Sequence, residues 1–198
     1  MKNNIKIEII PCLQDNYSYL IIDKDKNDAC VVDPSEAKPV INFIEKENIN
    51  LKYILNTHHH FDHIGGNKEL KQKYNSIIVG YKHDSKRIPE ISVLVEDNQI
   101  WKEDNFEAKI IHIPGHTTGH IGFYFFNEKA IFSGDTLFFE TIGRTDIPFA
   151  SFSVIEESLK RIFKLFDDHT SVYPGHGRPT TIGHEKQFNP FVKNIKLN

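Results

Sequence analysis

The sequence predicts an α+β sandwich, two β-sheets packed face to face with helices on the outside. Three observations carry that expectation. Short apolar strand patterns come in two runs, one in each half of the chain, and each run is followed by a helical pattern. The 198 residues suit one domain, taken as 1–198, and 39% hydrophobic with 26% charged residues is enough to bury a core. The His and Asp residues that gather into clusters stand just past the ends of apolar strands, where stiff strands deliver them to one edge.

In the first half, Ile5–Ile10, Tyr17–Ile22 and Ala29–Val32 read as strands, separated by the turn-forming stretches Gln14–Asn16 and Lys24–Asp28. Val40, Ile41, Ile44 and Glu47 mark a short amphipathic helix. An apolar strand at Leu51–Leu55 runs directly into a His cluster. After Gly65 and Gly66 come a helix over Lys68–Tyr74 and a strand at Ile77–Gly80. The second half repeats the pattern with strands at Ala108–Ile113, Ile121–Phe126 and Ala130–Phe132. Ser153 reads as the cap of a helix whose Ile155, Leu159, Ile162, Phe163 and Phe166 form one stripe. A last strand, Ser171–Tyr173, ends at Pro174, Gly175 and His176.

A net charge of -3 with His neutral excludes the basic footprint of a nucleic-acid binder. No apolar stretch approaches the length of a membrane span, and the N-terminus leads straight into a strand pattern rather than a signal peptide. The two cysteines, Cys12 and Cys30, make no disulfide framework and suit reduced thiols, so a cytoplasmic protein is expected, as a monomer or small homo-oligomer. Eleven His is a high count for this length, and their clustering in turn-rich sequence points to metal.

The densest cluster is Thr57–His63. In an extended segment residues two apart face the same way, so His58 and His60 grip one ion; if the chain then turns, Asp62 and His63 face a second. Imidazole and carboxylate suit zinc, iron and manganese. His59 is out of phase and falls to solvent or to a place behind the ligands. Next come His116, bracketed by glycine, and His120, for which a supporting role fits better than ligation. Asp135 ends an apolar strand beside Gly134, where a carboxylate can bridge two cations about 3.5–4 Å apart. His176 sits in another Gly-His step. Alone, His116 reads equally as a surface turn residue, Asp135 reads better as an ordinary Gly-Asp turn, and His176 is a weak signal; the ordered set carries the argument.

That set, Thr-His-x-His-x-Asp-His, then Gly-His, Gly-Asp-Thr and Gly-His, resembles the metallo-β-lactamase superfamily over nearly the whole chain. The resemblance implies a four-layer αβ/βα sandwich with the metals at the edge of the two sheets. It implies that His58, His60 and His116 hold one divalent ion, that Asp62, His63 and His176 hold another, and that Asp135 bridges. Within the superfamily the chain is most similar to the glyoxalase II-like group, through Leu13–Ile21 around Asn16, through Thr57–Gly66, and through Pro174–Gly177, Thr180–Gly183, Glu185 and Asn189–Phe191. Gly143–Asp146 is similar to a stretch in bacterial members of this group and in persulfide dioxygenases. Diiron oxidoreductases of the superfamily, which carry Glu where His60 stands, fit less well.

The implied function is a short glyoxalase II-like thioesterase with two metal ions, zinc first, iron or manganese as alternatives. A metal-bridging hydroxide, oriented by Asp62, attacks a small anionic acyl thioester. Asn16 and Arg144 are the expected substrate-binding residues, and Arg144 reads equally as a salt-bridge partner of Asp146. Only 22 residues follow His176, with Arg178, Lys186, Lys193 and Lys196 as cations, room for one short helix after Ile182 but not for a helical glutathione-binding domain. Two rival readings are a mono-iron persulfide dioxygenase-like enzyme and a non-catalytic metal-binding module.

Overall fold

The computed structural model describes residues 4–193 and Ile195; Lys196 lies outside the described residues. Strands β1 (Ile5–Cys12), β2 (Asn16–Asp23), β3 (Asp28–Val32), β4 (Asn50–Leu55), β5 (Ile77–Tyr81) and β6 (Val93–Val95) form one sheet in that order, antiparallel from β1 to β3 and parallel from β3 to β6. Strands β7 (Ile100–Glu103), β8 (Phe106–His112), β9 (Ile121–Phe125), β10 (Ala130–Gly134), β13 (Ser171–Pro174) and β14 (Thr180–Thr181) form the other. There β10 and β13 alone run parallel. A hairpin of β11 (Leu137–Phe138) and β12 (Thr141–Ile142) stands apart from both sheets.

Period-two alternation sorts each strand between two cores. On β2, Tyr19 and Ile21 face the layer between the sheets, where they meet Phe123, Phe125 and Phe132 of the second sheet. Leu20 and Ile22 face the opposite way, into a layer shared with α1 (Ala37–Glu47) and Leu70 of α3 (Asn67–Tyr74). On α1 the buried residues Ala37, Val40, Ile41 and Ile44 follow helical spacing. The second sheet buries Ile111, Ile131 and Val172 against Ile155, Leu159, Ile162 and Phe163 of α4 (Phe152–Leu165). The result is the expected four-layer αβ/βα sandwich.

The α4 cap differs from the expectation. Ser151 is extended (φ -153°, ψ 125°) and holds the cap position, while Ser153 lies inside the first turn. The Ser151 N–H donates to Gly115 O at 2.8 Å and its carbonyl accepts from Ile155 N at 3.0 Å, so the tie to the Gly115 loop sets the start. The apolar stripe begins only at Ile155 and cannot report the exposed turn before it. The short elements β6, β7, β11, β12, β14 and α2 (Phe61–Ile64) were not foreseen, and Ile113 and Phe126 fall just outside their strands. The expected C-terminal helix is α5 (Ile182–Phe188). Among the described residues, no helix is long and apolar enough to cross a membrane.

Phe132 is fully buried between the sheets, with ring centroids 5.4 Å from Tyr19 and 5.1 Å from Tyr173. Phe132→Ala is expected to cost about 3–5 kcal/mol, read as a lower urea midpoint. Phe149, 86% exposed, is the control: Phe149→Ala should stay within about 0.5 kcal/mol of wild type. Equal losses would place the core elsewhere.

Candidate metal centre

The ligand-type side chains stand on the connections that leave the strand ends. Beyond β4 the chain bends at Thr57 and His58, is extended at His60 (φ -64°, ψ 143°) and then enters the single helical turn α2. The break puts His58 and His60 before the turn and Asp62 and His63 inside it, as expected. His116 lies between β8 and β9, Asp135 follows β10, and His176 follows β13. Backbone bonds across the edge lock these ends together: Ile121 N to Thr57 O at 2.9 Å, Gly175 N to Gly134 O at 2.9 Å, and Tyr17 N to Gly175 O at 2.9 Å.

The ligand atoms converge in two trios, His58–His60–His116 and Asp62–His63–His176, each within 4.8 Å. In the first, His116 Nε2 lies 3.0 Å from His60 Nδ1. In the second, Asp62 Oδ2 lies 3.6 Å from His63 Nε2 and 3.4 Å from His176 Nε2. Asp135 faces both: Oδ1 is 3.3 Å from His63 Nε2, and Oδ2 is 3.4 Å from His116 Nε2 and 3.5 Å from His176 Nε2. A tetrahedral ion with bonds near 2.1 Å has ligand-to-ligand edges of about 3.4 Å. The separations match that spacing. The buried atoms His58 Nε2, His63 Nε2 and Asp135 Oδ1 make no hydrogen bond, which a pair of cations explains. The donor set and its orphaned atoms therefore fit divalent metal.

Four of the five ligand rings are oriented from behind. His63 Nδ1 donates to Asp33 Oδ2 at 3.1 Å, His176 Nδ1 to Asp15 Oδ1 at 3.2 Å and His116 Nδ1 to Arg144 O at 3.0 Å. His58 Nδ1 donates to Thr57 Oγ1 at 3.0 Å, and that hydroxyl donates to Asp33 Oδ2 at 2.5 Å. Four rings thus present Nε2 inward, whereas His60 presents Nδ1. Asp33 lies within ligand distance of His58 and His63. Its oxygens are already engaged by Thr57 N, Thr57 Oγ1 and His63 Nδ1, so it orients rather than ligates. It sits past β3 at φ 46°.

His120, fully buried, accepts from Asp135 N at 2.9 Å through Nε2. Its inward lone pair is therefore used to hold Asp135 in place, which fits the expected supporting role. His59 Nδ1 lies 3.2 Å from the buried carboxylate of Asp84, behind the ligands. One expectation changes, and one alternative left open is taken up. Asn16 is 4% exposed, and its amide donates to Asp62 O at 3.1 Å and Asp62 Oδ2 at 3.2 Å. It orients Asp62 instead of reaching substrate. The Arg144 fork is taken by Asp146, Nε to Oδ1 at 2.9 Å and a terminal nitrogen to Oδ2 at 3.1 Å.

Electrostatics divide the ligands. Burial and the facing His116 push His60 down to about 4, and burial pushes His58 well below its usual value, so both stand ready as neutral ligands. Burial opposes charge on His63 and His176, but Asp135 outweighs it. His63 is raised well above its usual value with help from Asp33, and His176 to about 10 with help from Asp62. Burial works against ionised Asp62 and Asp135 too, yet the facing imidazoles hold both carboxyls below the usual range.

A cleft of about 560 Å³ opens over the site, lined by Asp135, His116, His176, Phe138, Arg144 and Arg178 among others.

This strand-end cluster in a four-layer sandwich has known counterparts. The model of the metallo-beta-lactamase superfamily matches residues 14–176, and the chain belongs to that superfamily. Within it the chain is a short glyoxalase II-like hydrolase. It is 60% identical over 172 residues to the hydroxyacylglutathione hydrolase of Pelagibacter ubique, covering 87% of this chain and 71% of that one. It is 39% identical to the hydroxyacylglutathione hydrolase GloC of Haemophilus influenzae, covering 95% of this chain and 98% of that one. Among solved structures, ETHE1 from Myxococcus xanthus is 27% identical with a TM-score of 0.82, over 94% of this chain and 83% of that one. TTHA1623, solved in a di-iron-bound form, is 28% identical with a TM-score of 0.80, over 94% and 99% of the chains.

A ligand ring must be neutral, so metal competes with the protons that His63 and His176 carry in the metal-free protein. Loading at pH 7 is expected to release about two protons per chain, with affinity rising as pH rises. Calorimetry in buffers of different ionisation enthalpy reads this directly. No release would mean the rings are neutral beforehand.

Proposed function

We propose that the protein hydrolyses a small anionic acyl thioester of a glutathione-type thiol, with the two trios and Asp135 holding a pair of divalent ions. The observation that supports this most is the second trio, Asp62, His63 and His176, brought together with an orphaned imidazole nitrogen. Divalent ions bound there supply Lewis acidity at a carbonyl oxygen and let water ionise near pH 7. His58, His60 and His116 hold one ion, Asp62, His63 and His176 the other, and the two oxygens of Asp135 reach both groups. Zinc is proposed first because such His and carboxylate trios suit its tetrahedral preference; iron and manganese accept the same donors.

The chain's own residues do the rest. Asn16 fixes the Asp62 carboxylate, whose ionised form accepts a proton-side hydrogen bond from the attacking water and aims it. His120 holds the backbone of Asp135 against drift. The cleft receives the thiol arm beside Phe138. A thiol leaving group with a parent pKa of about 8.5 departs as thiolate without a general acid, which favours thioesters over amides. The similarity to relatives named for hydroxyacylglutathione supports the substrate class. Cys12 and Cys30, both free and buried, support a reducing compartment, and we place the protein in the cytoplasm.

The second reading is a one-iron persulfide dioxygenase, favoured by the likeness to ETHE1. It leaves the second trio without use. Elemental analysis after reconstitution is expected to find close to two ions per chain, with turnover of S-lactoylglutathione; one iron per chain with persulfide consumption would favour the rival, and metal without turnover the non-catalytic module.

Asp135→Ala disturbs both trios and is expected to cut kcat by several orders of magnitude, whereas His120→Ala, one hydrogen bond removed from the ligands, should cost far less. Equal losses in steady-state assays would overturn the bridging assignment of Asp135.

A further inference from the structure

Two arginines line the cleft, and they differ in one respect. Arg144 gives its Nε and one terminal nitrogen to a bidentate pair with Asp146, so a protein carboxylate already meets its charge. Arg178 is exposed and lies flat against an aromatic face, its guanidinium carbon 3.6 Å from the centroid of Phe139. Among the described residues no carboxylate pairs with Arg178. The other lining acids are occupied: Asp15 by His176 Nδ1, and Asp135 by the imidazoles of the ligand set. Arg178 therefore brings the one guanidinium in the cleft whose charge no protein carboxylate meets.

Its place is also distinctive. Arg178 and Phe139 line both the 560 Å³ cleft over the ligands and an adjoining recess of about 320 Å³ walled by Tyr173, Thr180 and His184. A ligand that starts at the metal-ligating groups and extends past Phe138 meets Arg178 at the junction. Stacking leaves the guanidinium edge, with its N–H donors, free for a planar anion while the ring holds the plane fixed.

The support under Phe139 is built. It sits at the turn of the β11–β12 hairpin, and α5 pins that turn. The buried Glu185 carboxylate accepts from Glu140 N at 2.9 Å, from Asn189 Nδ2 at 2.8 Å and from Thr180 Oγ1 at 2.6 Å. The Asn189 amide also donates to Thr141 O at 3.0 Å. His184 stacks with Phe139 at 4.9 Å, and its Nε2 meets Glu140 Oε1 at 3.0 Å. The Thr180-to-Asn189 stretch, singled out in the sequence as similar to the glyoxalase II group but given no chemistry there, thus acts as a clamp on the wall that carries Phe139.

We propose that Arg178, stacked on Phe139 and backed by the Glu185–Asn189 clamp, is the carboxylate-recognition residue for the substrate's thiol arm, in place of Arg144. This rests on the thioesterase reading above and deepens it.

The test compares S-lactoylglutathione with its dimethyl ester, which keeps the thioester and loses the carboxylates, in metal-loaded wild type, Arg178→Ala and Arg144→Ala. Arg178→Ala should raise KM for S-lactoylglutathione about ten- to a hundredfold, the loss of a charge-assisted fork, and raise it far less for the diester. Equal changes for both substrates, or a larger selective change in Arg144→Ala, overturn the proposal. Calorimetric binding of S-methylglutathione separates the two layers of the argument. If wild type turns over neither thioester, the thioesterase reading fails, and the Arg178 assignment still stands or falls on binding. A Kd for S-methylglutathione weakened about tenfold or more in Arg178→Ala, but not for its diester, supports it; an unchanged Kd overturns it. Thermal midpoints and metal content of the variants confirm that both comparisons are made on folded, loaded protein.

Discussion

A carboxylate with 6% of its surface exposed stays ionised only where positive charge or donors surround it. Asp135 is that carboxylate, and the rest of the site is arranged around satisfying it. His63, His116 and His176 face its oxygens, and the His120 ring takes the N–H of its own backbone. Because those rings come from four separate strand ends, the demand of one buried anion brings two sheets to a common edge. Without metal, the protons on His63 and His176 answer part of that demand, while His58 Nε2 and Asp135 Oδ1 stay buried without a hydrogen bond, as a site suited to cations would leave them.

The backbone yields where this crowding is worst. A side chain at Gly175 would collide with Asp135 Oδ1 and with the His63 ring, and one at Gly143 with the carbonyl of Asp135. Gly134 holds φ 47° beside Thr57 and His120, which lets the chain leave β10 and present Asp135 sideways. Gly175 and Gly134 belong to the Gly-His and Gly-Asp steps seen in the sequence, and Gly143 opens the Gly143–Asp146 stretch. Their use there is close approach: the backbone of one strand end occupies the space that a neighbour's methyl group would need.

The parts legible in the sequence are those with a dense or periodic signal. Seven ligand-type residues of unusual kind and spacing announce themselves, and so do strands of five residues or more and helices with a clean stripe. Asp33 was missed although it obeys the same rule as the ligands, an acid past an apolar strand, because a single Asp before Pro34 looks like any turn. Asp15 was missed for the same reason. Two-residue strands such as β11 carry no period at all. Partner choice was the other blind spot: adjacency alone could not tell whether the Arg144 fork turns back onto Asp146, two residues on, or reaches a ligand, nor that the Asn16 amide turns inward onto Asp62, 46 residues away. Ser151 displaced Ser153 as the helix cap because a tertiary bond to Gly115 sets the first turn, a contact 36 residues away in the chain.

Chemistry and recognition therefore rest on different kinds of structure. The ligands hang from long buried strands whose register fixes them, with a hydrogen bond behind nearly every ring. The wall of the cleft is a short hairpin, anchored in the α4 core by Leu137 and Ile142 and held at its turn by a buried Glu185 that satisfies three donors at once. In this chain, then, the strand ends carry the residues suited to metal, while the pinned hairpin shapes the cleft that opens over them.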